Sequence, residues 1–143
     1  MIRNFEDYTH SLTEDEAKYI IPMLLKILAL SIGKENAVKN QFILNNINSS
    51  LLEYCTANDI PAIRTRPARI RHMIHILRVS DTIPFLVATA VGYFISNDKK
   101  EIEDYMQSVD DRLRSIYQIR RALKRQMREW GKPAEAIQGQ LIF

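Results

Sequence analysis

Near the start of the chain, apolar side chains recur every three or four positions, and this spacing predicts a helix. The helix should begin at Thr13, because Thr13 and Glu16 have the spacing of a capping box. In that motif each side chain accepts a hydrogen bond from the other residue's backbone amide. Gly33 is expected to end the helix. Pro22 lacks an amide hydrogen and should bend it.

Two more helices are predicted before residue 80. The second starts with Asn40 as its N-cap and is expected to be interrupted at residues 48–50, where Asn and Ser are weak helix formers. The third should begin at Thr65 or Arg66, with Pro67 tolerated in its first turn. Its core-facing stripe has the i, i+3, i+4, i+7 spacing and consists of Ile70, Met73, Ile74 and Leu77.

After Ser80 the pattern changes to short runs of β-branched and aromatic residues. The runs 83–89 and 93–96 are separated by three residues that end in Gly92. This arrangement predicts a β-hairpin in which Gly92 supplies a positive φ at the turn.

A long helix is predicted after the hairpin. Asp98 and Glu101 have capping-box spacing, and helical periodicity continues to about Trp130. The expected fold is therefore mainly α with a small β-hairpin: a winged helix-turn-helix followed by a long C-terminal helix. The predicted parts are an N-terminal arm (1–12), a winged-helix domain (13–97), the long helix (98–130) and a tail (131–143).

Composition bounds the class of protein. A chain of 143 residues with 46% apolar and 26% charged residues fits one globular domain with an appended helix. The one cysteine, Cys55, excludes an internal disulfide and a thiolate metal cluster. The apolar run 20–32 is interrupted by Lys26 and is too short to cross a bilayer, and the first nineteen residues do not look like a secretory signal. We expect a cytoplasmic protein without a membrane segment.

Positive charge is concentrated in one stretch of the chain. The net charge is +3 overall, but residues 61–143 carry fifteen Lys and Arg against nine Asp and Glu. Residues 60–80 contain five arginines, two histidines and no acid. With the apolar stripe of the third helix facing the core, the basic side chains point outward or flank that face. The candidate DNA-binding residues are Arg64, Arg66, Arg69, Arg71, His72, His75 and Arg78.

This set of residues suits double-stranded DNA. A helix fits the major groove, where Arg can donate two hydrogen bonds to guanine, and further cations neutralise phosphates. The alternative interpretation is a basic face that only contacts solvent.

Four segments carry a family resemblance: SIGKENAV (31–38), RIRHMIHILR (69–78), TIPFLVA (82–88) and GYFISND (92–98). Together they resemble winged-helix DNA-binding proteins of phages and integrated mobile elements, which have an R-x-R-x-x-I-x-x-[IL]-R helix and a G-Y-[YF]-I wing. The resemblance covers roughly residues 12–117. It implies DNA binding in gene control or replication of a phage-like element.

The remaining residues indicate neither a metal nor an enzyme. His72 and His75 share a helix face, but that helix contains no Cys, Asp or Glu, and zinc needs three or four ligands. Cys55 has no neighbouring base in the sequence, and no phosphate-binding glycine loop occurs. We expect no catalytic residue, no cofactor, no metal and no small-molecule substrate.

The long helix leaves two interpretations open. Its apolar positions step by four and three from Ile102 to Ile116, as in a coiled-coil seam, and then slip out of register through Ile119. The stripe either packs on the domain or joins two chains in a homodimer. The expected function is a DNA-binding regulator or replication accessory. The alternative is a protein–protein adaptor that uses the winged-helix surface and the long helix without binding nucleic acid.

Overall fold

The computed structural model describes residues 11–131 and is mainly helical, with a two-stranded antiparallel hairpin and a long C-terminal helix. The expected arm and tail lie outside the described residues, except at positions 11, 12 and 131. No helix in this part of the chain is long and apolar enough to cross a membrane. The elements are a π-helical turn (Glu16–Ile20), α1 (Ile21–Ala29), a 3-10 turn (Lys34–Asn36), α2 (Asn40–Ala57), α3 (Pro67–Val79), β1 (Leu86–Thr89), β2 (Gly92–Ile95) and α4 (Lys99–Arg128).

The first helical segment begins with the predicted capping box. The Thr13 amide donates to Glu16 Oε1 at 2.9 Å, and the Glu16 amide donates to Thr13 Oγ1 at 3.1 Å. Pro22 lies in the first turn of α1, directly after the π-helical turn, where the Ile21 amide donates to the Glu16 carbonyl five residues back. A proline ring clashes with the carbonyl four residues earlier in an α-helix, and a wider turn relieves that clash. The predicted disturbance at Pro22 therefore takes the form of a π turn.

Helix α2 is unbroken, so the interruption expected at residues 48–50 was wrong. Ile43, Ile47, Leu51 and Cys55 follow one another at every fourth position and are all buried. Burial of this stripe outweighs the weak helix propensity of the Asn and Ser residues between them. The N-cap is Lys39, one residue before the expected Asn40.

Helix α3 matches its prediction closely. It starts at Pro67, and Arg66 is the N-cap. All four residues of the expected stripe are at most 1% exposed, and Ile76 is buried as well. These side chains pack with those of the first helical segment and of α2, and the shared core includes Ile20, Leu24, Leu28, Ile43, Ile47, Leu51, Ile70, Met73, Ile74 and Leu77.

The hairpin joins β1 and β2 through a two-residue turn. Gly92 has a φ of +124°, as expected, but it is the first residue of β2 and lies after the turn. The reason is its neighbour: a Cβ at this position would lie 2.4 Å from the backbone oxygen of Val38. Glycine is needed here for close backbone approach.

A segment between α1 and α2 extends this small sheet. Val38 and Tyr93 exchange backbone hydrogen bonds of 3.0 and 2.7 Å, and the Ile95 amide donates to the Ser31 carbonyl at 2.7 Å. Strand β2 therefore has backbone partners on both edges, β1 on one side and residues 31–38 on the other.

The chain divides after Ile102 into two compact units. The first contains the core, the hairpin and the start of α4. There the Asp98 carboxylate accepts from the Lys100 amide at 3.0 Å, as an N-cap should. Glu101 does not complete the expected box, because its carboxylate accepts from Ser96 Oγ instead. The second unit contains the rest of α4.

Candidate nucleic-acid interface

Helix α3 presents a basic outward face because its inward face is fixed by the core. Arg71 and His75 are one turn apart, and both are exposed. Arg78 continues the same line one turn later and is half-buried. Arg71 forms no ion pair with an acid among residues 11–131. Its guanidinium is therefore available to a ligand.

Two further arginines precede α3 in the connection from α2. Arg64 and Arg66 are exposed, and Thr65 between them is 7% exposed. Asn48 of α2 fixes this alternation: its Nδ2 donates to the Thr65 carbonyl at 3.2 Å, and its Oδ1 accepts from the Thr65 amide at 2.9 Å. Since neighbouring side chains in extended backbone point to opposite sides, holding Thr65 inward directs both arginines outward. We call Arg64, Arg66, Arg71 and His75 the basic surface.

Arg69 is placed differently from the other candidates. Its Nε donates to Glu16 Oε2 at 2.7 Å and its Nη2 to Glu16 Oε1 at 2.5 Å. A third hydrogen bond runs from Nη2 to the Ser11 carbonyl at 3.0 Å. The guanidinium is thus engaged in a bidentate ion pair that joins α3 to the start of the first helical segment.

This ion pair changes the protonation equilibria of both partners. Hydrogen bonds from Arg69 lower the pKa of Glu16 below its ordinary value, against the opposing effect of burial, and the bonds with Thr13 act in the same direction. The bond to Glu16 raises the pKa of Arg69. Both groups are charged at neutral pH, so one of the five positive charges in residues 60–80 is compensated inside the protein.

The two histidines of α3 have separate environments. His72 is half-buried, and its Nε2 shares a 2.7 Å hydrogen bond with Ser11 Oγ, whereas His75 is exposed. No three His, Cys, Asp or Glu side chains within residues 11–131 are grouped so that they could hold a metal ion. Cys55 is buried in the core stripe of α2.

Two residues outside the predicted set shape this interface, Glu16 and Asn48. The sequence identified Glu16 only as a helix cap, and Asn48 only as a weak helix former. Glu16 contacts Arg69 of α3, and Asn48 contacts Thr65 in the connection before α3. Both contacts join residues that are distant in sequence, and no local spacing indicates them. A carboxylate facing an arginine-rich helix could be found only once the packing of the helices is known.

A second basic region lies on α4, within the second unit. Its seven cations are all exposed: Arg112, Arg114, Arg120, Arg121, Lys124, Arg125 and Arg128. Arg114 forms a 3.3 Å ion pair with Asp111 one turn earlier. Such a pair at the surface contributes little to stability.

No protein-family model, curated protein or solved structure matches this chain. The assignment of function therefore depends on the geometry of the basic surface and on the order of the elements.

Proposed function

We propose that this protein is a winged-helix DNA-binding protein that inserts α3 into the major groove of duplex DNA. The observation that carries the proposal is the division of α3 into a fully buried apolar face and an outward face with Arg71 and His75 exposed. A helix of this kind is suited to reading base edges, because its core side fixes the orientation of its basic side.

The order of elements supports the same proposal. Three helices precede a two-stranded hairpin, and the segment between the first two helices pairs with β2. A helix-turn-helix variant followed by a two-stranded hairpin is the winged-helix arrangement, and α3 would then be the recognition helix. The resemblance to proteins of phage-like elements favours a regulator or a replication accessory.

Arg64 and Arg66 are assigned to the phosphate backbone. They lie at the N-terminal side of α3, where exposed backbone amides and the helix dipole also favour a phosphate. Arg66, the N-cap, gives the first-turn amides no side-chain hydrogen bond, because a guanidinium has no acceptor atom. Arg71 lies on the outward face of α3, one turn after Pro67, and is assigned to a base edge.

Fluorescence anisotropy with duplex oligonucleotides tests this function. The Arg71→Ala variant should bind about 1–3 kcal/mol more weakly if Arg71 reads a base. Lys26→Ala, which removes an exposed cation from α1, is the matched control and should bind like the wild type. Equal affinity of the Arg71→Ala variant and the wild type would contradict the assignment.

The salt dependence provides an independent measurement. Three exposed arginines, Arg64, Arg66 and Arg71, are available to phosphates or bases, since Arg69 is engaged by Glu16. Neutralising the two phosphates assigned to Arg64 and Arg66 gives a slope of about −2 in a plot of log K against log salt. A slope near zero would favour the adaptor alternative, which the exposed apolar residues of α4 also support.

A further inference from the structure

The apolar seam of α4 is longer than its first five positions suggest. Ile119 lies beside the seam, but the four-three steps continue through position 120 to Leu123 and Met127. The same step reaches Trp130, two residues after the end of α4. Only Arg120 interrupts the apolar series between Met106 and Trp130. Apart from Val109, the apolar seam residues in this range are more than half exposed, and Trp130 is 82% exposed.

Charge along the same helix is divided into two blocks. Residues 103–111 carry four acids and no base, whereas residues 112–128 carry seven bases and no acid. All eleven of these side chains are exposed. The helix therefore has an acidic half and a basic half, and the same seam runs along both.

We propose that α4 pairs with α4 of a second copy of this chain as an antiparallel coiled coil. When Met106 lies opposite Leu123 of the second copy, Leu113 lies opposite Ile116 in the same antiparallel register. Met106 and Leu113 occupy a positions of the heptad, and Ile116 and Leu123 occupy d positions. Each layer therefore pairs an a residue of one copy with a d residue of the other. In this register the acidic residues 103–111 of one copy lie along residues 118–126 of the other. That stretch contains the four cations Arg120, Arg121, Lys124 and Arg125.

Arg120 decides between the two orientations. In a parallel, in-register pair Arg120 would face itself within the seam, and the two basic halves would lie side by side. In the antiparallel register Arg120 falls opposite Val109 and next to Asp110 of the second copy. A single charged residue at a seam position then selects the orientation, because only one orientation gives it an acidic neighbour.

Disulfide trapping in the full-length chain tests the orientation and the register. Cys55→Ser removes the native thiol, and Met106→Cys and Leu123→Cys are introduced into separate proteins. A mixture of the two should give a disulfide-linked dimer under mild oxidation, and neither protein alone should do so. Dimers formed by each protein alone would overturn the antiparallel orientation. Preferred cross-linking of Met106→Cys to Trp130→Cys would overturn the register.

Sedimentation equilibrium without DNA tests the association itself. The wild type should be dimeric at tens of micromolar, and Leu113→Asp should be monomeric because it places a charge in the seam. The matched control, Gln118→Asp, adds the same charge to the opposite side of α4 and should remain dimeric. Circular dichroism verifies that both variants keep their helical content. A monomeric wild type at this concentration would overturn the proposal and leave the proposed DNA binding untouched.

Discussion

Arg69 holds the carboxylate of Glu16 through two hydrogen bonds, 2.7 Å from Nε and 2.5 Å from Nη2. The carboxylate belongs to a residue that is 5% exposed, while the side chain of Arg69 remains 30% exposed. The pair spans the start of the first helical segment and the first turn of α3. Arg69 thus fixes the orientation of α3 from within the first unit, whereas Arg64, Arg66 and Arg71 are exposed.

Removal of Arg69 should destabilise the protein more than removal of the Glu16 charge. Arg69→Met leaves a buried carboxylate without its cation and should lower the free energy of unfolding by about 3 kcal/mol. Glu16→Gln leaves a partly exposed guanidinium that water can reach, so we expect a loss of about 1 kcal/mol. Urea denaturation measures both. Arg71→Met is the control and should change stability by less than about 0.5 kcal/mol.

Stability should depend on pH through Glu16. Because folding lowers its pKa below the ordinary 4.5, its contribution is complete above pH 4.5 and is lost as the pH falls through the folded-state pKa. The difference in unfolding free energy between the wild type and Glu16→Gln should therefore be constant from pH 7 to 5 and shrink below pH 4.5. A difference that stayed constant down to pH 3 would show that Glu16 does not titrate with folding.

Asn48 should influence both stability and DNA affinity. Asn48→Ala removes both hydrogen bonds to the Thr65 backbone and should lower the unfolding free energy by about 1–2 kcal/mol. Binding should weaken as well, since Arg64 and Arg66 lose the backbone anchor between them. Asn46→Ala, an exposed position of the same helix, should change neither quantity. Unchanged DNA affinity of a folded Asn48→Ala protein would separate the two arginines from the interface.

Gly92 should tolerate no side chain. Gly92→Ala places a methyl group against the Val38 carbonyl, and at a φ of +124° the residue is also strained. We expect a loss of at least about 2 kcal/mol in thermal denaturation. Gly131 has a φ of +92° with nothing within 4 Å of an added Cβ, so Gly131→Ala should cost about 1 kcal/mol or less.

The local features of this chain were predictable because they arise from neighbouring residues. The capping box of Thr13 and Glu16 and the four-residue core stripe of α3 depend on spacings of three to seven positions. Helix α3 itself begins at Pro67, one residue after the expected Arg66. The same spacings located the outward face with Arg71 and His75. Helix periodicity also gave the extent of α4.

The predictions from the sequence failed where contacts between distant residues determine the local structure. The continuity of α2 through residues 48–50 depends on burial against other helices, and the placement of Gly92 depends on Val38. The engagement of Arg69 requires Glu16 to be brought across from another element. Each of these contacts is formed by packing, and a single sequence carries no local pattern for it.

The pairing of Val38 with Tyr93 also bears on the order of folding. These residues are far apart in the sequence, so their hydrogen bonds require closure of a loop that contains α2, α3 and β1. The helices gain local contacts before that loop closes. The backbone pairing between residues 31–38 and β2, by contrast, forms only when these two segments meet. We expect substitutions in the helical core to slow refolding and substitutions at Val38 chiefly to speed unfolding. The sheet would then be the last element to consolidate and the first to open.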